Sequence, residues 1–241
     1  MVRTSCPSHR YGDFFPGTGD LKDVGASNGR YYSLNVPLHD GMDDASYQKL
    51  FKPIIARVME VYQPGAIVLQ CGADSLASDR LGCFNLSLDG HADCVRFVKS
   101  FGVPLLVTGG GGYTKQNVAR CWAYETGVLV DRPMKEDIPY HDYYYEYYAD
   151  ANYKLKVYPQ AAAENSNSRA HLTAVKAAVL EHLRALEHAP GVAMQELPPE
   201  HMIPKLEDDE WPDVRYGRWG RDREVARDDE WYEDDRDQDG A

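Results

Sequence analysis

No apolar run among the 241 residues approaches the ~18 that a membrane-spanning helix requires, so a membrane protein is not expected. The opening MVRTSCPSHRYGDFF holds no apolar stretch of the kind a secretory signal carries. Cysteine is scarce. Cys6, Cys71, Cys83, Cys94 and Cys121 are the five present, and none forms a CxxC pair. That argues against a disulfide framework and a cysteine zinc site, and a reducing intracellular compartment is the default expectation. Basic residues are outnumbered, 26 against 38 acidic, for a net charge of -12. Electrostatic capture of nucleic acid by the whole chain is therefore disfavoured. Neither GxGxxG nor GxxxxGK(S/T) occurs, which leaves nucleotide binding weakly supported, and no segment repeats.

What remains is the composition of a globular protein, 43% hydrophobic and 27% charged. The charge is uneven. Residues 207–241 hold fifteen Asp or Glu against six Arg, a net of -9, so the other 206 residues carry only -3. That segment has almost no aliphatic residues and cannot bury a core, which predicts a disordered acidic tail over 206–241. Its Trp211, Trp219 and Trp231 are either solvated or dock on a partner. The domain spans 1–205 and ends within the proline-rich LPPEHMIP.

Three short apolar runs bounded by Gly, Pro or Asp read as buried strands: Tyr32–Leu38, Ala66–Cys71 and Pro104–Thr108. Helical spacing predicts four helices. The first is capped by Asp44 and runs to Tyr62, with Pro53 kinking it or delaying its start. The others cover His91–Phe101, Thr114–Val130 and about Ser168 to Glu187. Strands alternating with helices predict an α/β architecture with a parallel sheet. The tyrosine-rich Tyr140–Tyr153 reads as a surface loop packed by its own rings.

Ligands of parallel α/β sheets bind outside the carboxyl ends of strands. Two such ends stand out. AIVLQCGADSL runs into Asp74, which either faces the crevice or caps the next segment. PLLVTGGGGYT places four glycines between a strand and a helix. They either cradle a phosphate or set Tyr113 at the crevice, where its hydroxyl can donate to a developing oxyanion. In DFFPGTGDLKDVG, Phe14 and Phe15 either staple the loop or wall a narrow pocket.

These segments, with RYYSLNVPLHDGMDD, DSLASDRLGCFNLSLDGHADCVRFVKSF and LEHAPGVAMQELPPE, resemble class I zinc-dependent histone deacetylases in a plant-like form, from about His9 to about Pro204. The resemblance implies the three-layer arginase/deacetylase α/β fold and hydrolysis of the Nε-acetyl amide of histone lysines, a route to transcriptional repression. It implies zinc held by Asp, His and Asp, which polarises the acetyl carbonyl and activates water. Adjacent histidines serve as general base and acid, and a tyrosine stabilises the oxyanion. Carried over, Asp74 is a zinc ligand and Tyr113 the oxyanion tyrosine. Phe15 and Leu81 belong to the substrate tunnel and its rim, and Gly111 and Gly112 flank the tyrosine. Arg80 matches an arginine that contacts inositol phosphate, but the second arginine of that site is replaced by Gln116. The partners implied are acetylated histone tails and corepressor subunits, with no direct DNA or membrane contact. The location implied is the nucleus, with the cytoplasm as a second site.

The family's catalytic domain is much longer, and this chain matches its C-terminal half. The eight histidines include no adjacent pair. Asp89-Gly90-His91 spells D-x-H, but it precedes a helix and aligns with a non-ligand position. With one protein ligand the zinc site is incomplete. The expectation is three or four strands at most, apolar sheet edges left open, and no activity from the chain alone. A truncated, non-catalytic paralogue that binds corepressor or histone partners is the alternative.

Overall fold

The computed structural model describes residues 2–5 and 19–186. Phe14 and Phe15, the acidic tail and its three tryptophans lie outside the described residues. Among the described residues, four strands form two separate two-stranded parallel sheets. Strand β1 (Val2–Ser5) pairs with β2 (Leu34–Pro37), and β3 (Ile67–Gln70) pairs with β4 (Leu105–Thr108). The strand read at Tyr32–Leu38 thus stands apart from the other two. Its partner β1 was not foreseen, because VRTS is polar and carries no alternating pattern.

Helix α1 (Asp44–Tyr62) corrects the sequence reading by one residue. Asp43, not Asp44, is the N-cap, and its side chain accepts from Ser46 N at 2.8 Å. Asp44 instead reaches across the fold. Its carboxylate accepts from Ser87 N at 2.8 Å and from Ser87 Oγ at 2.6 Å. Ser87 in turn caps α2 (Leu88–Lys99), accepting from Gly90 N at 2.9 Å. Position 90 must be glycine, because a Cβ there would overlap the Asp44 carboxylate. Helix α2 therefore starts three residues before His91, where a serine cap outranks the apolar pattern. Pro53 sits inside α1 without ending it.

Helix α4 (Arg169–Arg184) buries Val175, Val179 and Leu183, spaced by four as one helical face requires. These side chains meet Leu50 and Ile54 of α1 and Leu34 and Val36 of β2 in one core. Each fully buried Leu or Val there stabilises the fold by about 1.5–3 kcal/mol. A second core joins Ala73, Leu76, Leu88 and Cys121 to Leu155 and Val157. Ala73 and Leu76 flank Asp74, so this core fixes the loop that leaves β3.

The β3–β4 sheet alternates along both strands, and one face is open. Val68 is 70% and Leu106 59% exposed. Parallel sheets usually bury both faces, so this apolar face is an anomaly within the chain.

Candidate active site

The two strand ends singled out in the sequence lie side by side. The β3–β4 pairing continues past both strands: Cys71 N donates to Thr108 O at 2.8 Å, and Ala73 N to Gly111 O at 2.7 Å. Trp122 of α3 (Lys115–Leu129) closes the flank, its Nε1 donating to Cys71 O at 2.8 Å. The loop 71–74 and the glycine run 109–112 are thus held against each other.

Asp74 lies in a short 3-10 turn, Ala73–Ser75, whose N-cap is Gly72, and its side chain caps no helix. The capping alternative is excluded. The carboxylate lies directly against Gly111, where a Cβ would overlap Asp74 Oδ2. Gly82 packs as closely on the Asp74 carbonyl. Burial, then the negative charge of Asp79, raises the Asp74 carboxyl above its usual range, against a smaller pull from His91. A half-buried carboxylate under these pressures is one that a cation would satisfy.

The glycine run is packed by the protein's own atoms. A Cβ on Gly109 would meet the Trp122 ring, and one on Gly110 would meet Gln70. The glycine run is thus closely packed against α3 and the end of β3. Gly112, at φ +138°, makes the turn into Tyr113. Tyr113 is 47% exposed.

Asp79 is the residue the sequence reading missed. Its Oδ1 accepts from Leu81 N at 3.0 Å and from Gly82 N at 2.9 Å. Its Oδ2 accepts from Tyr113 N at 2.8 Å and from Thr114 N at 3.2 Å. One carboxylate therefore joins the 79–82 loop to the tyrosine turn. Ser78, beside it, holds a left-handed φ of 65° and accepts from Thr114 Oγ1 at 3.0 Å through its carbonyl. The signal was present, since Asp-x-x-Gly is turn chemistry, but Asp79 was read only as part of a motif.

The other residues singled out are spread around this turn. Leu81 is 53% exposed, and Arg80 is exposed beside it. Phe15 lies outside the described residues. A cavity of about 330 Å³ opens beside the turn, lined by Asp40, Ser78, Asp79, Asn85, Gln160 and Glu164. Neither Asp74 nor Tyr113 lines it.

Beneath the loop lies a buried polar group. His91 Nδ1 is 2.5 Å from Glu125 Oε1 and 3.7 Å from Cys121 Sγ, and His91 Nε2 is 3.1 Å from the Gly72 carbonyl. Burial alone would lower the imidazole, but its contacts with Cys121 and Glu125 outweigh this and raise it to about 10. His91 thus bridges Glu125 and the carbonyl of Gly72, two residues before Asp74. Burial pushes the Cys71 thiol far up, aided by Glu125, and it pushes Cys121 up against the pull of His91. Neither thiol is set up as a nucleophile. His91, Cys121 and Glu125 form the one triad close enough to hold a metal among the described residues, and Asp74 is not part of it. Both His91 nitrogens are within hydrogen-bond distance of protein atoms.

The fold is mixed α/β with small parallel sheets, and at adjacent strand ends Asp74 lies against the glycine run that leads into Tyr113. The histone deacetylase domain profile matches residues 4–129. Histone deacetylase 9 of Arabidopsis thaliana is 55% identical over 235 residues, 97% of this chain and 54% of that protein. Type-1 histone deacetylase 1 of Dictyostelium discoideum is 57% identical over 218 residues, 90% of this chain and 43% of that protein. Histone deacetylase 1 of Oryza sativa subsp. japonica is 57% identical over 209 residues, 86% and 40%. The chain belongs to the class I histone deacetylase family. It spans about half the length of these relatives, 40% to 54%.

Proposed function

We propose that this chain carries the Asp74–Tyr113 half of a zinc-dependent deacetylase centre that acts on Nε-acetyl-lysine in histone tails. The observation that carries the reading is the contact of Asp74 with Gly111, two residues before Tyr113, at adjacent strand ends. Asp74 supplies one ligand to zinc, and zinc, when bound, polarises the acetyl carbonyl and activates water. Tyr113 donates from its hydroxyl to the oxyanion of the tetrahedral intermediate. Gly111 and Gly112 keep that turn free of side chains, and Leu81 borders the tunnel for the acyl-lysine stem, to which the resemblance also assigns Phe15, outside the described residues. Arg80 stands where family members contact inositol phosphate.

The described residues offer one ligand to that zinc, which does not complete a site of three or four. The reading therefore includes an incomplete three-layer deacetylase fold, inactive in isolation. A full centre needs two further ligands and a general base. Association with corepressor subunits in the nucleus, with no direct DNA contact, fits the family and the net charge of -12. A non-catalytic, partner-binding role is the second reading.

The test is elemental analysis for zinc together with a fluorogenic acetyl-lysine assay on the full chain, with Asp74→Asn as control. Folded protein with neither stoichiometric zinc nor turnover is the expected result. Zinc near one per chain, with turnover abolished by Asp74→Asn, would overturn the incompleteness and make this chain an enzyme alone.

A further inference from the structure

The segment around residues 140–153 presents two kinds of tyrosine. The inner ones anchor it. Tyr145 stacks on Tyr153 with centroids 4.1 Å apart and planes at 4°, and Tyr148 lies under the Arg120 guanidinium at 6.0 Å. Arg120 is itself buried, donating to the carbonyls of Lys154 and Lys156 at 3.0 and 3.4 Å. The outer ones have no such job. Tyr140 is 84%, Tyr143 92%, Tyr144 57% and Tyr147 65% exposed. Three of them are contiguous: Tyr143–Tyr144 at 5.0 Å and Tyr144–Tyr147 at 5.8 Å, both edge-on. Contiguous aromatic surface is uncommon on a solvated face and typical of the centres of interfaces.

The charge around these rings has one sign. Residues 136–150 contain five acids and no Lys or Arg. Asp137 is paired with Lys154 at 2.5 Å. Among the described residues, Asp142, Glu146 and Asp150 form no ion pair with another described residue, while Glu136 acts with Asp137 on Lys154. The turn that carries the rings is ordered by backbone bonds, among them Tyr147 N to Tyr144 O at 3.0 Å and Tyr153 N to Tyr148 O at 2.9 Å. The rings are therefore offered on a formed scaffold.

We infer that this outer face docks a lysine- or arginine-rich extended segment of another polypeptide. The negative faces of the rings attract cations, and the carboxylates between them add long-range attraction. The same charge repels nucleic acid. The inference does not depend on the chain being a deacetylase, because none of these residues belongs to the Asp74–Tyr113 site.

The test uses the full chain and a decaarginine peptide as probe, with hydrogen exchange to locate binding and titration to measure it. Protection of residues 140–153 on adding the peptide is expected. Combined Tyr143→Ser, Tyr144→Ser and Tyr147→Ser should weaken binding about tenfold or more, with an unchanged melting curve because the rings are exposed. Asp142→Asn, Glu146→Gln and Asp150→Asn together should weaken it at low salt and leave less effect at high salt. Protection confined to residues 207–241, or equal affinity of the tyrosine variant, would overturn the inference. Binding to phosphatidylcholine vesicles that persists without the three acids would also overturn it, in favour of a lipid interface.

Discussion

Asp79 Oδ2 accepts the backbone N–H of Tyr113 at 2.8 Å while its Oδ1 accepts from Gly82 at 2.9 Å. The tyrosine turn and the loop over Asp74 are thus tied to one carboxylate. Replacing Asp79 with Ala removes four charge-assisted bonds at once. The expected stability loss is about 1–3 kcal/mol, measured by urea unfolding. Amide exchange should quicken together at Leu81, Gly82, Tyr113 and Thr114. Quickening at Leu81 and Gly82 alone would mean that the tyrosine turn is held by something else.

Gly111→Ala places a methyl group on Asp74 Oδ2. The carboxylate has to move, because the loop behind it is fixed by buried Ala73 and Leu76. A loss of about 1–3 kcal/mol is expected, as for other overpacked sites. The same substitution at Gly29 meets nothing within 4 Å and should cost little of this kind, so the pair of melting curves separates a steric cause from a general glycine effect.

The His91–Glu125 pair is buried, with side chains 12% and 3% exposed. Removing one partner strands the other charge, so Glu125→Ala should destabilise by about 3–5 kcal/mol. Exchange at Gly72 and Ala73 should rise as well, because His91 also holds the Gly72 carbonyl. Wild-type exchange there in a destabilised variant would separate the pair from the Asp74 loop.

The same histidine gives a pH dependence with a definite sign. Its folded value, about 10, lies above the ordinary 6.5. The folded state therefore binds the extra proton, and its contribution is complete below about pH 6.5 and declines as pH rises toward 10. Cys71 and Cys94 are also raised, but they begin to count only above their ordinary 9.0. Stability should fall between pH 6.5 and 9, measured by urea titration, and His91→Gln should flatten that fall. His171 acts in the opposite sense. Burial and then His39, whose ring lies 4.3 Å away, lower it, so its contribution is lost as pH drops below about 6.5.

The sequence made the strand ends at Asp74 and Tyr113 legible, because apolar runs that end in Gly and Asp read without ambiguity. Helix positions were legible from spacing, but their starts were not. The Asp43 cap was misplaced by one residue, and the Ser87 cap by several, because capping depends on which side chain folds back rather than on pattern. The Asp44–Ser87 and His91–Glu125 contacts join residues 43 and 34 apart, and no local signal announces such pairs. Asp89-Gly90-His91 was set aside as a metal site, and only the fold brings His91 beside Cys121 and Glu125. The tyrosine-rich segment was read correctly as a surface packed by rings, but the division into anchoring and presented rings needed the fold.

The central claim is that Asp74 and Tyr113 form part of a deacetylase centre whose other part this chain does not supply. The most direct measurement is zinc-dependent hydrolysis of a fluorogenic acetyl-lysine peptide by the full chain. It is assayed alone and after co-expression with the segment of the Arabidopsis relative that precedes the matched region. No turnover alone, and turnover on complementation that vanishes with Asp74→Asn and falls with Tyr113→Phe, is the expected result. A soluble, zinc-loaded complex without turnover, or turnover indifferent to Asp74→Asn, would contradict it.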